Sequence, residues 1–307
     1  MIAAGIDEAG YGPVFGPLVV AGTAFRFSGT DDLWHLLSDT VSRAGGRKKA
    51  GKILVDDSKK VYRSASGKDR LKQSVCAFLD IHRSDCASEN PGSGVDGFLP
   101  PEPPWYMSHN VILPETVGGP ESEALRSDMR SRGVTLPLVK ASVCFAEQFN
   151  KELALGMNKA ELLFTRAGRI LRTILGIRRG AEECVVIMDR QGGRIYYLDP
   201  LRKLLPEMDI QPVQETAGVS EYRAGDMVRI IFRVKADQYS FSAALASMVA
   251  KFVRELYVEQ FNAFWQKHIP DLKPTAGYPV DAARFFRDIE STVDALGIEN
   301  HTFMRNK

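Results

Sequence analysis

No two of the four cysteines, Cys76, Cys86, Cys144 and Cys184, stand at C-x-x-C spacing, and the five histidines form no H-x-x-x-H or H-E-x-x-H pair. A zinc site is therefore not expected. Cysteines scattered singly fit reduced, mostly buried thiols in a cytoplasmic protein, and no chemistry is assigned to them. No stretch reaches the ~20 apolar residues that span a bilayer, and no basic segment leads into an apolar run at the N-terminus. The expectation is a soluble, cytoplasmic protein with no membrane partner. An excess of one charge is lacking too: 40 Lys and Arg stand against 38 Asp and Glu, a net of +2. The chain as a whole exerts no strong pull on nucleic acid, so a basic binding face has to be local. Nothing points to a homo-oligomer, and a monomer is expected.

What is present is an ordinary globular composition, 44% apolar over 307 residues, enough for a core without staples. The apolar run Ile2 to Ile6 reads as a strand that meets Asp7-Glu8 and then the turn Gly10-Tyr11-Gly12-Pro13. Leu18 to Phe27 reads as a second strand, giving a hairpin-like start. Helical spacing of Leu71, Val75, Phe78, Leu79 and His82 predicts a helix over Lys68 to His82, and Asn158 to Leu175 carries a second apolar stripe. Cys184 to Met188 is a buried-strand pattern ending at Asp189, and Met227 to Val234 is another, running into Lys235-Ala236-Asp237. The clearest helix follows, with Phe241, Leu245, Met248, Val249, Phe252, Leu256 and Tyr257 on one face; a last helix, Asp281 to Leu296, turns Phe285, Ile289, Val293 and Leu296 inward. Between about 89 and 133 the pattern gives way to Pro, Gly and Ser, which predicts a long loop or insertion. Its Trp105, Tyr106 and Met107 are large enough that part of it should dock on the body. These elements predict an α/β fold, a mixed central sheet flanked by helices with a Pro/Gly-rich insertion, organised as one domain over 1–307 with a C-terminal helical part from about 238.

Acidic residues stand at the ends of three apolar strands: Asp7 with Glu8, Asp189, and Asp237. Each has an ordinary alternative, a surface or turn pair for Asp7-Glu8, a turn for Asp189 and a helix N-cap for Asp237. Were the three strands neighbours in one sheet, the carboxylates would crowd together and repel unless a cation joined them. Mg²⁺ or Mn²⁺ suits such a set. Two ions ~4 Å apart activate a water on one side of a phosphorus and stabilise the leaving oxygen on the other.

Gly5-Ile6-Asp7-Glu8-Ala9-Gly10-Tyr11-Gly12-Pro13, with Gly16-Pro17-Leu18-Val19-Val20, closely resembles the opening motif of the type 2 ribonucleases H (ribonuclease HII/HIII). The resemblance continues in order through Asp57-Ser58-Lys59-Lys60, Asn150 to Asn158, Lys235-Ala236-Asp237, Ser242-Ala243-Ala244, Ala250-Lys251-Phe252-Val253-Arg254, Gly277-Tyr278-Pro279 and His301-Thr302-Phe303. It implies a divergent member of that family, with an RNase H-like fold, in which Asp7, Glu8, Asp189 and Asp237 hold the metal ions of a hydrolase. The substrate it implies is an RNA–DNA hybrid or ribonucleotide-containing duplex, cleaved to 5′-phosphate and 3′-hydroxyl ends. Ser58 and Lys59 would contact phosphates, and Tyr278 would stack on the sugar following the ribonucleotide. The family's glycine-arginine-glycine turn reads Gly10-Tyr11-Gly12 here, which removes a guanidinium from the place where the RNA–DNA junction is read. Backbone groups of Gly10 and Gly12 remain able to meet a ribose 2′-hydroxyl, and Tyr11 to stack on a sugar or base. The wording around Asp189 also differs from the family's.

Two decoys fail on local grounds. Gly10-x-Gly12 with Gly16 has the wrong spacing for a dinucleotide fingerprint, and Pro13 and Pro17 oppose a helix there. Gly46 to Lys52 approximates a P-loop, but Ile53 replaces the required hydroxyl; a solvated basic loop near the substrate groove is the better reading. Two rivals stay open: a nuclease of the same fold with a different nucleic-acid substrate, and a non-catalytic nucleic-acid-binding homologue.

Overall fold

The computed structural model of the chain describes residues 1–29, 32–45, 51–63, 66–86, 103–106 and 119–306. Among these, nine strands form: β1 (Ile2–Ala9), β2 (Leu18–Arg26), the short β3 (Val41–Ser42) and β4 (Ile53–Leu54), β5 (Thr135–Cys144), β6 (Cys184–Asp189), β7 (Ile210–Glu215), β8 (Val219–Ala224) and β9 (Val228–Arg233). Seven of them build one mixed sheet in the order β5-β2-β1-β6-β9-β8-β7. The pairs β5/β2, β2/β1, β9/β8 and β8/β7 are antiparallel, whereas β1/β6 and β6/β9 are parallel. Helices flank it: α1 (Leu33–Leu36), α2 (Ser58–Tyr62), α3 (Gly67–Cys86), α4 (Pro120–Ser131), α5 (Ala146–Ala154), α6 (Lys159–Gly176), α7 (Leu198–Leu204), α8 (Phe241–His268) and α9 (Pro279–Leu296). This is the mixed α/β sheet flanked by helices that the sequence pattern predicts.

The sheet has a core on each face. Alternation in β1 sends Ile2, Ala4 and Ile6 into the layer under α6 and α7, with Ile170, Tyr197 and Phe232. The other face of β1 is made of Ala3 and Gly5, and α8 lies against it. A Cβ on Gly5 would sit 2.0 Å from the Ala243 backbone nitrogen, so only glycine admits the helix at this separation. Two buried hydroxyls complete the junction: Thr23 Oγ1 donates to the Ser242 carbonyl (2.8 Å), and Ser242 Oγ to the Ala3 carbonyl (2.9 Å). Phe241, Leu245, Met248, Val249 and Phe252 are buried along α8, at about 2 kcal/mol per large apolar side chain.

Two expectations change. The stretch from about 89 to 133 is not all loop, because α4 occupies 120–131. Its signals are short but complete: Pro120 at the first turn, Glu121 and Glu123 beside the positive helix end, and Ser122, Leu125 and Met129 on a buried stripe. Leu296, expected inward, is 44% exposed, since α9 ends there in the left-handed cap of Gly297. Trp105 and Tyr106 do dock, each 3% exposed, Trp105 against Phe261 and Phe303 and Tyr106 against Phe145 and Tyr257; Met107 lies outside the described residues. Residues 46–50 of the P-loop-like stretch lie outside them as well.

Candidate active site

The strands that carry or lead to the acids are β1, β6 and β9, which lie side by side and parallel in the middle of the sheet. Parallel neighbours present their C-terminal ends at one edge. Ile6 is level with Met188, and Asp189 with Arg233, so Asp7 and Asp189 sit at the same height. Both alternate away from the α6 layer toward the α8 side. Asp237 follows in a 3₁₀ turn, Ala236–Gln238, entered through Lys235 in a left-handed conformation (φ 58°, ψ 47°). Asp189 ties the two strand ends together, its Oδ1 accepting from the Ala236 N–H at 3.1 Å. The N-cap of α8 is Ser240, whose hydroxyl accepts from Ala243 N–H, so Asp237 is released from the ordinary capping role.

All ten residues singled out from the sequence line one pocket of about 240 Å³: Asp7, Glu8, Gly10, Tyr11, Gly12, Ser58, Lys59, Asp189, Asp237 and Tyr278. Asp57, Ser247, Lys251 and Arg254 also line it. Gly10 needs its glycine: φ is +88°, and a Cβ would lie 2.5 Å from the Pro17 carbonyl oxygen. Gly12 is exposed and a Cβ there would meet nothing within 4 Å, so packing does not demand glycine and the backbone is open to a close-fitting ligand. Gly277 (φ +82°) accepts from Val14 N–H at 2.7 Å, which clamps the Gly10 to Phe15 segment and brings Tyr278, 52% exposed, to the pocket rim. Asp57 caps α2 through the Lys59 N–H (2.9 Å) and thereby fixes where Ser58 and Lys59 project. Ser58 is buried, its hydroxyl 3.0 Å from that of Ser247 on α8, while Lys59 is exposed.

Burial raises every one of the four acids, and crowding adds to it at Asp7, Glu8 and Asp237. Asp7 is pushed well above the ordinary carboxylate range, first by burial and then by Glu8 and Asp189; Ser247 and the Glu8 N–H, which donates to Oδ1 at 2.8 Å, pull the other way. Glu8 is pushed up to about 7 by burial and Asp189 against the pull of Lys59. Asp237 is pushed up to about 6 by burial, Asp57 and Asp189, with Lys59 and Lys60 opposing. Asp189 rises by burial, moderated by the Ala236, Arg190 and Lys235 N–H groups. Among the described residues no three His, Cys, Asp or Glu side chains are already gathered into a metal cage. The acids line one pocket, where their like charges raise one another. An all-carboxylate donor set fits a hard divalent cation such as Mg²⁺ or Mn²⁺.

Ser247 is the pocket residue that sequence reasoning did not find. The available signal is a hydroxyl interrupting the apolar face of α8 between Ala246 and Met248. Lys251 and Arg254 were visible only as part of a motif. Arg254 is 1% exposed in its side chain, donates to the Ala276 carbonyl (2.9 Å), and lies beneath the Gly10 turn.

No family model matches the chain, and no curated protein sequence matches it. Among solved structures the chain is similar to a chain of the PCNA:RNase HII complex from Archaeoglobus fulgidus, with 18% identity over 100% of this chain and 96% of that one and a TM-score of 0.49. It is similar also to ribonuclease H2 from Pyrococcus horikoshii OT3, with 15% identity over 99% and 92% and a TM-score of 0.45. Against Bst-RNase HIII in complex with Mn²⁺ the values are 18% identity, 99% of this chain, 66% of that chain and a TM-score of 0.49.

Proposed function

We propose that this chain is a divalent-metal-dependent endonuclease of the type 2 ribonuclease H kind, acting as one catalytic unit on the RNA strand of RNA–DNA hybrids and leaving 5′-phosphate and 3′-hydroxyl ends. The observation behind this reading is that three adjacent parallel strands deliver Asp7, Glu8, Asp189 and Asp237 to a pocket already furnished with Lys59, the Gly10-Tyr11-Gly12 turn and Tyr278. The four carboxylates would hold Mg²⁺ or Mn²⁺, which when bound makes water a nucleophile near neutral pH and offsets charge on the leaving oxygen.

The chain's own groups account for the rest. Lys59 at the rim meets a substrate phosphate as a point charge, and Ser58 backs it from the floor. The open backbone at Gly12 and the turn at Gly10 approach the ribose, where a 2′-hydroxyl distinguishes RNA from DNA. Tyr278 offers an exposed ring for a sugar or base to pack on. Ser247 lies in the same pocket, its hydroxyl 3.0 Å from that of Ser58, and favours the charged form of Asp7, a positioning role.

Tyr11 in place of an arginine favours a second reading, in which the same site acts on another nucleic-acid structure. One experiment separates these: labelled RNA–DNA hybrid, single-ribonucleotide duplex and all-DNA duplex, each incubated with Mg²⁺, Mn²⁺ or EDTA. The expected result is metal-dependent cleavage of the hybrid. Cleavage confined to the all-DNA duplex supports the second reading. Intact substrates under every condition, with duplex still bound, indicate a binding protein.

A further inference from the structure

The small net charge requires any basic face to be local, and the sheet contains one. On the face of β8 and β9 away from α6, alternation places Val219, Glu221 and Arg223 on β8 and Arg229, Ile231 and Arg233 on β9. Arg223 and Arg229 are exposed and directly opposite each other in the β8/β9 register. Like charges at such a pair destabilise a sheet, and an anion laid across them relieves the repulsion. Glu221 accepts from Arg229 (2.7 and 2.9 Å) and neutralises part of the strip. Arg223 and Arg233 have no carboxylate partner among the described residues. Arg233 instead stacks its guanidinium 3.5 Å from the ring centroid of Tyr239, itself 57% exposed.

The strip has a direction. β9 runs from Val228 toward the turn that holds Asp237, so the arginines lead to the acidic pocket. Arg229 and Arg233 are four residues apart on one face, roughly 13 Å at ~3.3 Å per residue, a span of about four nucleotide rises along a duplex strand. All three cations are arginines, whose planar forks match phosphate oxygens and whose faces stack on rings.

We propose that Arg223, Arg229, Arg233 and Tyr239 form a docking strip for the phosphate backbone of a nucleic-acid duplex whose scissile bond lies in the acidic pocket. This rests on the nuclease reading of that pocket. The strip lies outside the pocket, so it contributes to affinity and orientation and leaves the chemical step alone.

The test is fluorescence anisotropy of the full chain with a labelled RNA–DNA hybrid over a salt series, comparing wild type with R223Q/R229Q/R233Q. The expected slope of log affinity against log salt falls by about 2 to 3, near 0.9 for each phosphate no longer neutralised, with turnover at saturating hybrid unchanged. The single variant Arg223→Gln, at an exposed site, is expected to lower the slope by about 1 and guards against misfolding of the triple variant. Unchanged slopes in folded variants of a wild type that cleaves hybrid overturn the strip and leave the nuclease reading standing. Arginine-dependent binding by a wild type that cleaves nothing supports the strip and overturns the nuclease reading. Binding of polyglutamate in preference to any duplex overturns the assignment of the strip to nucleic acid.

Discussion

Asp7 is held in surroundings that disfavour its charge, being buried beside Glu8 and Asp189. A carboxyl whose folded pKa lies above its unfolded value weakens the fold once pH rises through the folded value. Asp7→Asn removes that penalty at nearly constant volume. In chelator at about pH 8 the variant is expected to melt at a higher temperature than wild type, while hybrid cleavage in Mg²⁺ falls at least about a hundredfold. Calorimetry and a cleavage assay on one preparation read both, and a variant with wild-type turnover removes Asp7 from the site. The thiols of Cys76, Cys144 and Cys184 behave oppositely, as inert core. Burial pushes Cys76 to about 11 and Cys184 to about 12, and raises Cys144, so all three stay protonated at neutral pH. Iodoacetamide should leave them unlabelled in the native chain and label them in denaturant, as peptide mass mapping would show. At this scale the acids were legible because each ends or closely follows an apolar run. Ser247 was not, because a small hydroxyl inside a helical stripe looks like any other core position.

At the scale of elements, the packing of α8 on β1 fixes where Asp7 stands relative to Asp237. Gly5→Ala would drive a Cβ into the α8 backbone, and urea unfolding is expected to show a loss of about 3 kcal/mol, with cleavage impaired in the fraction that folds. A wild-type midpoint would mean that α8 slides freely. A second junction joins β2 to the loop before β6, where Arg26 donates to Glu182 at 2.8 Å and to the Ile177 carbonyl at 2.7 Å. Burial would raise Glu182, but its hydrogen bonds from Arg26 and the Arg179 N–H hold it below the usual value of 4.5. A depressed carboxyl adds stability above its unfolded pKa that disappears as pH falls through the folded one. The melting-temperature gap between wild type and Glu182→Gln should therefore be full near neutrality and close below about pH 4. Periodicity located β1, β2, β6, β9, α3, α6, α8 and α9, since each has an apolar face long enough to repeat. Among the elements it missed are β5 and β8; β7, whose Ile210 alone is buried and which contains Pro212 as an edge strand can; and α4, where flanking Pro and Gly masked a stripe of only three buried residues.

For the whole molecule, a ligand that binds only the assembled pocket must stabilise the fold. Mg²⁺ or Mn²⁺ at a hundredfold excess over its Kd should add about 2.7 kcal/mol, seen as a rise in Tm that Asp189→Asn abolishes; a wild-type Tm indifferent to both ions argues against metal binding at the acids. The parts of that pocket come from distant stretches of chain. Ile2 pairs with Cys184, Asp237 follows β9, and Val14 is clamped by Gly277 on one side and by the Arg305 N–H on the other. A chain leaving the ribosome can zip β1, β2 and β5 into a meander once Cys144 has emerged, but the other flank of β1 waits for β6. Through most of synthesis Asp7 and Glu8 therefore stand at the rim of a half-built sheet, without their partners. A polypeptide cut short between β2 and the start of α8 holds the first acids and lacks the helix that seats them, so the candidate site assembles only once α8 has been made.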